Sequence, residues 1–358
     1  MNNMQFIGRG LMGFSNSQSR FPNAATIYDD PAIHRGDPRH SSIYQILTEP
    51  PGARGDSSAL LRSWVVDIIP YLETSELYNC WNEQENYLAD NSSQSFPSNA
   101  EYSRMSFGFF RCPNDETAVD GKGNLSYAVN GGFTRWPAVP ISWTGSPDEG
   151  RSFNGQPLRW LGEGGDWTKD QAIGKKLGVM FLGTHTGDQP WDIKTTPADI
   201  SDGASHTLLL GENTHVGYSD GTSPYAGMRE TNWACPLPNF AVFLGSDDVC
   251  QSNGSPVDCL GGQLAPTPDG KDGPGWAKSS AVGTFENIGF GRSLNLEGSF
   301  PFVSSGHPDG SNFVFCDGSV KYIKDTIDGR VYSRLITPAG GSLPATLRQS
   351  YGGGRDEE

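Results

Sequence analysis

Two alternating runs joined by Asp-Gly constrain this chain more than any other feature. In "SNFVFCDGSVKYI", residues 311–323, Phe313 and Phe315 fall on one face of a strand, and Asn312, Val314 and Cys316 on the other. Beyond Asp317-Gly318, Val320, Tyr322 and Lys324 share one side, Lys321 and Ile323 the other. Asp-Gly is the strongest short signal for a two-residue hairpin loop in a type I′ turn. The block therefore predicts a β-hairpin, with Phe313, Phe315, Val320 and Tyr322 as sheet anchors. The same stretch holds His307, Asp317 and Ser319, which invites a catalytic reading. Ser319 follows the turn directly, where hydroxyls commonly satisfy backbone groups. No G-x-S-x-G elbow occurs in the chain. A hydrolase is thus disfavoured, and His307 is expected to fix a loop by a hydrogen bond.

Other segments carry weaker patterns. Met4, Ile7, Leu11 and Phe14 make one stripe of a helix over residues 2–18. Gly8 and Gly10 weaken that helix, unless it packs closely on a sheet. Leu60, Leu61, Trp64, Val65, Ile68 and Ile69 predict a second helical stripe, ended or kinked by Pro70. Residues 23–57 read as loop, and 107–132 as strand, turn, strand. "HTLLLGE" predicts a short apolar strand after the Asp202-Gly203 turn. Residues 133–200 and 214–300 show little periodicity and read as insertions within one elaborated domain spanning 1–358.

Composition bounds the function. The 46 Gly and 25 Pro have no fixed period, so the chain is turn-rich rather than collagen-like. The 41 acidic against 26 basic residues give a net charge of −15. That balance argues against nucleic acid, whose binding depends on neutralising phosphates with Lys and Arg. No run approaches the ~20 apolar residues of a membrane span. Arg-Gly-Asp occurs at 35–37 and 54–56, a tripeptide short enough to recur by chance.

Candidate ligand sites are dispersed. The six histidines include no H-E-x-x-H, and Glu212 with His215 is only a weak i, i+3 pair. "TPDGKDGPG" offers Asp269 and Asp272 among glycines, the oxygen-rich wrapping that Ca²⁺ takes; Asp115 and Asp120 are a weaker case. Cys250 and Cys259 bracket a polar turn and are candidates for a local disulfide, and no C-x-x-C pair is present. Trp136, Trp143, Trp160, Trp167 and Trp191 lie among polar residues, as in a glycan-binding platform, although burial under loops explains them as well.

Together these blocks resemble the planctomycete DUF1559 (SBP_bac_10) proteins, whose members carry a prepilin-type N-terminal helix. The resemblance rests on "NNMQFIGRGL" with "RFP", "SWVVDIIPYLETSELY", "FRCPND", "LSYAVNGG", "SDGASHTLLLGE" and the closing "SSGHPDGSNFVFCDGSVKYI". His307, Asn312, Asp317, Gly318 and Ser319 form its structural signature. Phe6 replaces a polar residue of the pattern, and Asp309 stands where it has Gly. The resemblance implies an α+β fold: a pilin-like N-terminal helix packed on an antiparallel β-sheet ending in a C-terminal hairpin, with large loop-rich insertions. It implies a non-enzymatic, exported structural or cell-surface protein, a subunit of a secretion or uptake fibre. Such a protein lies in the periplasm or at the surface and meets other pilin-like subunits through an apolar helix expected upstream of Met1. A cysteine near the start of that pattern would also lie upstream, leaving Cys112 without its mate. Some pseudopilins bind structural Ca²⁺; no catalytic residues carry over. The alternative is a solute- or glycan-binding module built on the aromatic insertions.

Overall fold

The N-terminal stripe folds as its spacing predicts. A computed structural model describes residues 2–28, 60–72, 78–90, 97–133, 167–189, 192–214, 230–245 and 302–343, with 152–153, 156–157, 219–220, 283 and 287–289 besides. Helix α1 spans Asn2–Gln18 and buries Met4, Ile7, Leu11 and Phe14. Burying each such side chain contributes about 1.5–3 kcal/mol. The helix lies so close to the sheet that a Cβ on Gly8 would stand 3.0 Å from Val314 Cγ1. One on Gly10 would stand 2.6 Å from Leu72 Cδ2, so these glycines are packing surfaces rather than weak points.

Two sheets receive this helix and its neighbours. A three-stranded sheet has the order β2-β1-β4, with β1 at Ala25–Ile27, β2 at Leu60–Ser63 and β4 at Leu182–Thr184. A five-stranded sheet has the order β6-β3-β5-β7-β8, with β3 at Tyr127–Asn130, β5 at Leu208–Glu212, β6 at Val242–Phe243, β7 at Gly310–Phe315 and β8 at Val320–Lys324. The architecture is α+β. The larger sheet is antiparallel except at its edge, where β6 runs parallel to β3; in the smaller one β1 and β4 are parallel.

Strand β7 lies between β5 and β8 and is buried along its whole length. Val314 and Cys316 join one core cluster with Met4, Ile7, Leu11 and Trp64. Phe313 and Phe315 join another with Tyr332 and Ile336 of the helix Gly329–Ile336. The alternation read from the sequence is therefore correct, and both faces are core. Strand β8 differs from expectation. It forms the outer edge, where Tyr322 is 39% exposed and Ile323 packs inward in its place. Charged and half-exposed residues suit an edge strand, because they discourage pairing with another chain.

The turn also differs. Val314 pairs with Val320, Phe315 N–H donates to Ser319 O, and Gly318 N–H donates to Phe315 O at 2.8 Å. Three residues, Cys316, Asp317 and Gly318, form the loop, and Gly318 has positive φ whereas Asp317 does not. This is a type I turn closed by a left-handed glycine, which keeps Asp-Gly but not the two-residue geometry.

Three further segments depart from their patterns. Leu60 and Leu61 belong to β2, and the helix α2 is confined to Trp64–Ile68. Ser63 decides the boundary: its Oγ accepts Val65 N–H as N-cap and donates to Trp233 O at 2.5 Å. Residues 107–112 are turns rather than a strand, because Phe107, Phe109 and Phe110 gather on Phe6 and Trp233. The first aperiodic stretch contains a helix at Trp167–Leu177 as well as β4. Lys175 and Lys176 stand in that helix's last turn, where cations complement its dipole.

In urea melts, Leu11→Ala is expected to cost about 2–5 kcal/mol, through lost burial and a cavity. Gly318→Ala should cost about 1–2 kcal/mol from its left-handed backbone. Val331→Ala, at a half-exposed position, should stay within ~0.5 kcal/mol.

Candidate functional site

At the end of β5, the Glu212 side chain is 1% exposed yet carries a carboxylate. Burying that charge requires partners, and the chain supplies them from three directions. Asn312 on β7 donates its backbone N–H to Oε2 at 2.7 Å and its amide to both oxygens at 3.1 Å. Ser311 Oγ donates at 3.3 Å. His307 Nε2 lies 3.2 Å from Oε1, and Cys112 Sγ lies 3.6 Å from the same oxygen. Cys112 Sγ and His307 Nε2 are 3.7 Å apart. The other ring nitrogen of His307 meets the Asn114 amide at 3.1 Å, and its backbone N–H donates to Ser305 Oγ.

The loops that hold these groups are tightly fixed. Asn3, at the start of α1, donates to Gly108 O and Arg111 O, pinning the segment before Cys112. After His307, Asp309 takes φ 60°, a left-handed position that Asp tolerates better than most residues. The structure thus explains why the resembled pattern has Gly there.

A thiol, an imidazole and a carboxylate together invite a cysteine-nucleophile reading. The electrostatics oppose it. Burial pushes the Cys112 thiol up to about 11, the Asn114 backbone N–H pulls it down, and Glu212 raises it further. A nucleophilic cysteine needs the reverse. Carboxylate and sulfur also crowd the same ring nitrogen, so Glu212 does not orient the imidazole from its far side as a triad acid does.

Of the predicted signature, His307 and Asn312 meet at this site. Asp317 and Ser319 do not: Asp317 Oδ1 accepts Ser319 N–H at 2.9 Å and Ser319 Oγ–H at 2.6 Å, completing the hairpin turn. Partial burial opposes ionisation of Asp317, but the bonds from Ser319 hold its carboxyl below the usual range. His307 does fix a loop, as expected. Thr117 and Ser126 donate to the oxygens of Asp115, and Asp120 pairs with Arg111. Asp269, Asp272, Cys250, Cys259, His215, Trp136, Trp143, Trp160 and Trp191 lie outside the described residues, as do both Arg-Gly-Asp tripeptides; of Trp167 only the helical backbone is described. The sequence pairs Glu212 only weakly, and with His215 rather than His307, and does not single out Cys112 as a site residue. The available signal was that "FRCPND", "LLLGE" and "SSGHPDG" each contribute one letter to the cluster.

Among the described residues, no helix is long and apolar enough to cross a membrane. A family model described as a protein of unknown function (DUF1559), SBP_bac_10, matches residues 1–330. No curated protein and no solved structure matches the chain.

The raised Cys112 pKa gives a chemical test. A shift from 9.0 to about 11 lowers the thiolate fraction at pH 8 about 100-fold. With chelator present, iodoacetamide should alkylate Cys112 at least ~100-fold more slowly than an ordinary thiol. The rate should climb with pH until about 11, read by peptide mass spectrometry.

Proposed function

Because the chain belongs to the DUF1559 (SBP_bac_10) family, we propose that it is the head of a pilin-like, non-enzymatic structural protein, exported and displayed on the cell surface or in the periplasm. The observation that carries this reading is the placement of α1. Helix α1 buries its apolar stripe against strand β7, and Asn3 anchors its leading end. A helix fixed in this way can continue outward from Asn2 without disturbing the head, which is the arrangement a fibre subunit needs. Polar groups of the motif blocks, buried in the case of Asn130 and exposed in the case of Asp202, support a scaffold role. Asn130 donates to Leu208 O and Ile336 O and accepts Gly132 N–H, while Asp202 accepts Gly340 N–H, so the motif residues hold backbone together. Assembly partners are other subunits of the same kind, meeting through an apolar helix ahead of α1.

The test is to join a prepilin-type apolar helix of about 20 residues ahead of Asn2 and co-express the prepilin peptidase. The expected outcome is processed protein in the membrane fraction, with cross-linked ladders of like subunits. Processed protein that stays monomeric under cross-linking would overturn the fibre role.

A further inference from the structure

Cys112, Glu212 and His307 form a triangle of donor atoms with sides of 3.6, 3.7 and 3.2 Å. We propose that this triangle is a binding site for one zinc-class divalent ion. Zinc bonds of roughly 2.3 Å to sulfur and 2.0–2.2 Å to nitrogen and oxygen define a tetrahedron. Its edges are about 3.6 Å for the sulfur pairs and about 3.4 Å for nitrogen to oxygen. The donor atoms already stand within a few tenths of an ångström of those edges. An ion at the centre needs no backbone movement to gain three ligands, and the fourth vertex is left for water.

The ligand chemistry selects the metal class. A thiolate and an imidazole favour zinc over calcium or magnesium, which take oxygen. Thiolate and carboxylate together balance a divalent charge, so the filled site is neutral in a place where an unbalanced ion would be costly. The surrounding groups complete it. Glu212 Oε2 is held by the Asn312 N–H and Ser311, while Oε1, which shares the Asn312 amide, is the oxygen turned toward Cys112 and His307 and so toward the metal. Asn114 Nδ2 faces His307 Nδ1 at 3.1 Å; coordination through Nε2 would place the ring proton on Nδ1, and a flip of the Asn114 amide would then present its oxygen to accept it. The ion would tie the 110–115 turn, the end of β5 and the loop before β7 to one point, below the leading end of α1. This inference does not depend on the fibre reading, because it concerns the isolated head.

The experiment uses the whole 358-residue chain, reduced, treated with chelator and titrated with Zn²⁺, and in parallel with Co²⁺. One equivalent should bind, and Co²⁺ should show tetrahedral ligand-field bands with a sulfur-to-metal charge-transfer band. Cys112→Ser should abolish the charge-transfer band. His307→Ala should weaken Zn²⁺ binding more than about 100-fold, and Asn114→Ala by about 10–100-fold. Cys80→Ser, outside the triangle, should leave binding unchanged. Circular dichroism confirms that each variant is folded; His307, a quarter exposed, tolerates truncation better than Glu212. Absence of stoichiometric uptake by the folded protein would overturn the proposal. So would uptake that survives in both Cys112→Ser and His307→Ala, or a disulfide found at Cys112 in the native protein.

Discussion

Strand β7 has no solvent face, and the rest of the molecule follows from that. A strand buried on both sides must find apolar partners in two directions. Phe313 and Phe315 find the helix Gly329–Ile336, while Val314 and Cys316 find α1 and the cluster around Trp64. The helix on one side must approach closely enough to exclude water, which is why Gly8 faces Val314. The hairpin partner must approach as closely, and a Cβ on Gly310 would stand 2.2 Å from Ile323 O. These small residues are geometric requirements of a two-sided strand. A helix stripe, a hairpin and two glycines thus express one packing problem.

Glu212 is the polar counterpart. A buried carboxylate without partners costs several kcal/mol, so β5, β7 and two loops must all be in register before its charge is satisfied. Buried Asn130 imposes the same requirement elsewhere, bonding to the Ile336 backbone, 206 positions away. These side chains leave few alternative arrangements, because a shift of one residue in β7 would move the Asn312 N–H away from Glu212 and turn Phe313 toward the wrong core. Core packing and the polar knot therefore select the same register.

The α1 stripe, the β5 run and the β7 alternation were legible because period and burial agree in each. Leu60 and Leu61 were not, since two adjacent apolar residues fit a helix stripe as well as a strand, and only the bond from Ser63 to Trp233 O decides between them. Tyr322 was misread because a hairpin has two faces in the sequence but one of its strands is an edge in the sheet. The strand Leu182–Thr184 has three residues, too few to show a period. The Cys112, Glu212 and His307 cluster has no sequence spacing at all. Its members are 100 and 195 positions apart, so only the fold brings them together.

Those separations bear on the long stretches between the ordered blocks. Closing a loop costs entropy that grows only with the logarithm of its length, about 0.6 kcal/mol for each doubling. Going from 100 to 195 intervening positions therefore adds little to the cost of bringing Cys112 to Glu212 and then to His307. What cannot change cheaply is the convergence itself: the left-handed Asp309, the Asn312 N–H and the buried carboxylate. Recognition of this chain by a few short blocks separated by long aperiodic text follows from that asymmetry. The blocks hold the residues whose positions are coupled at the Glu212 site.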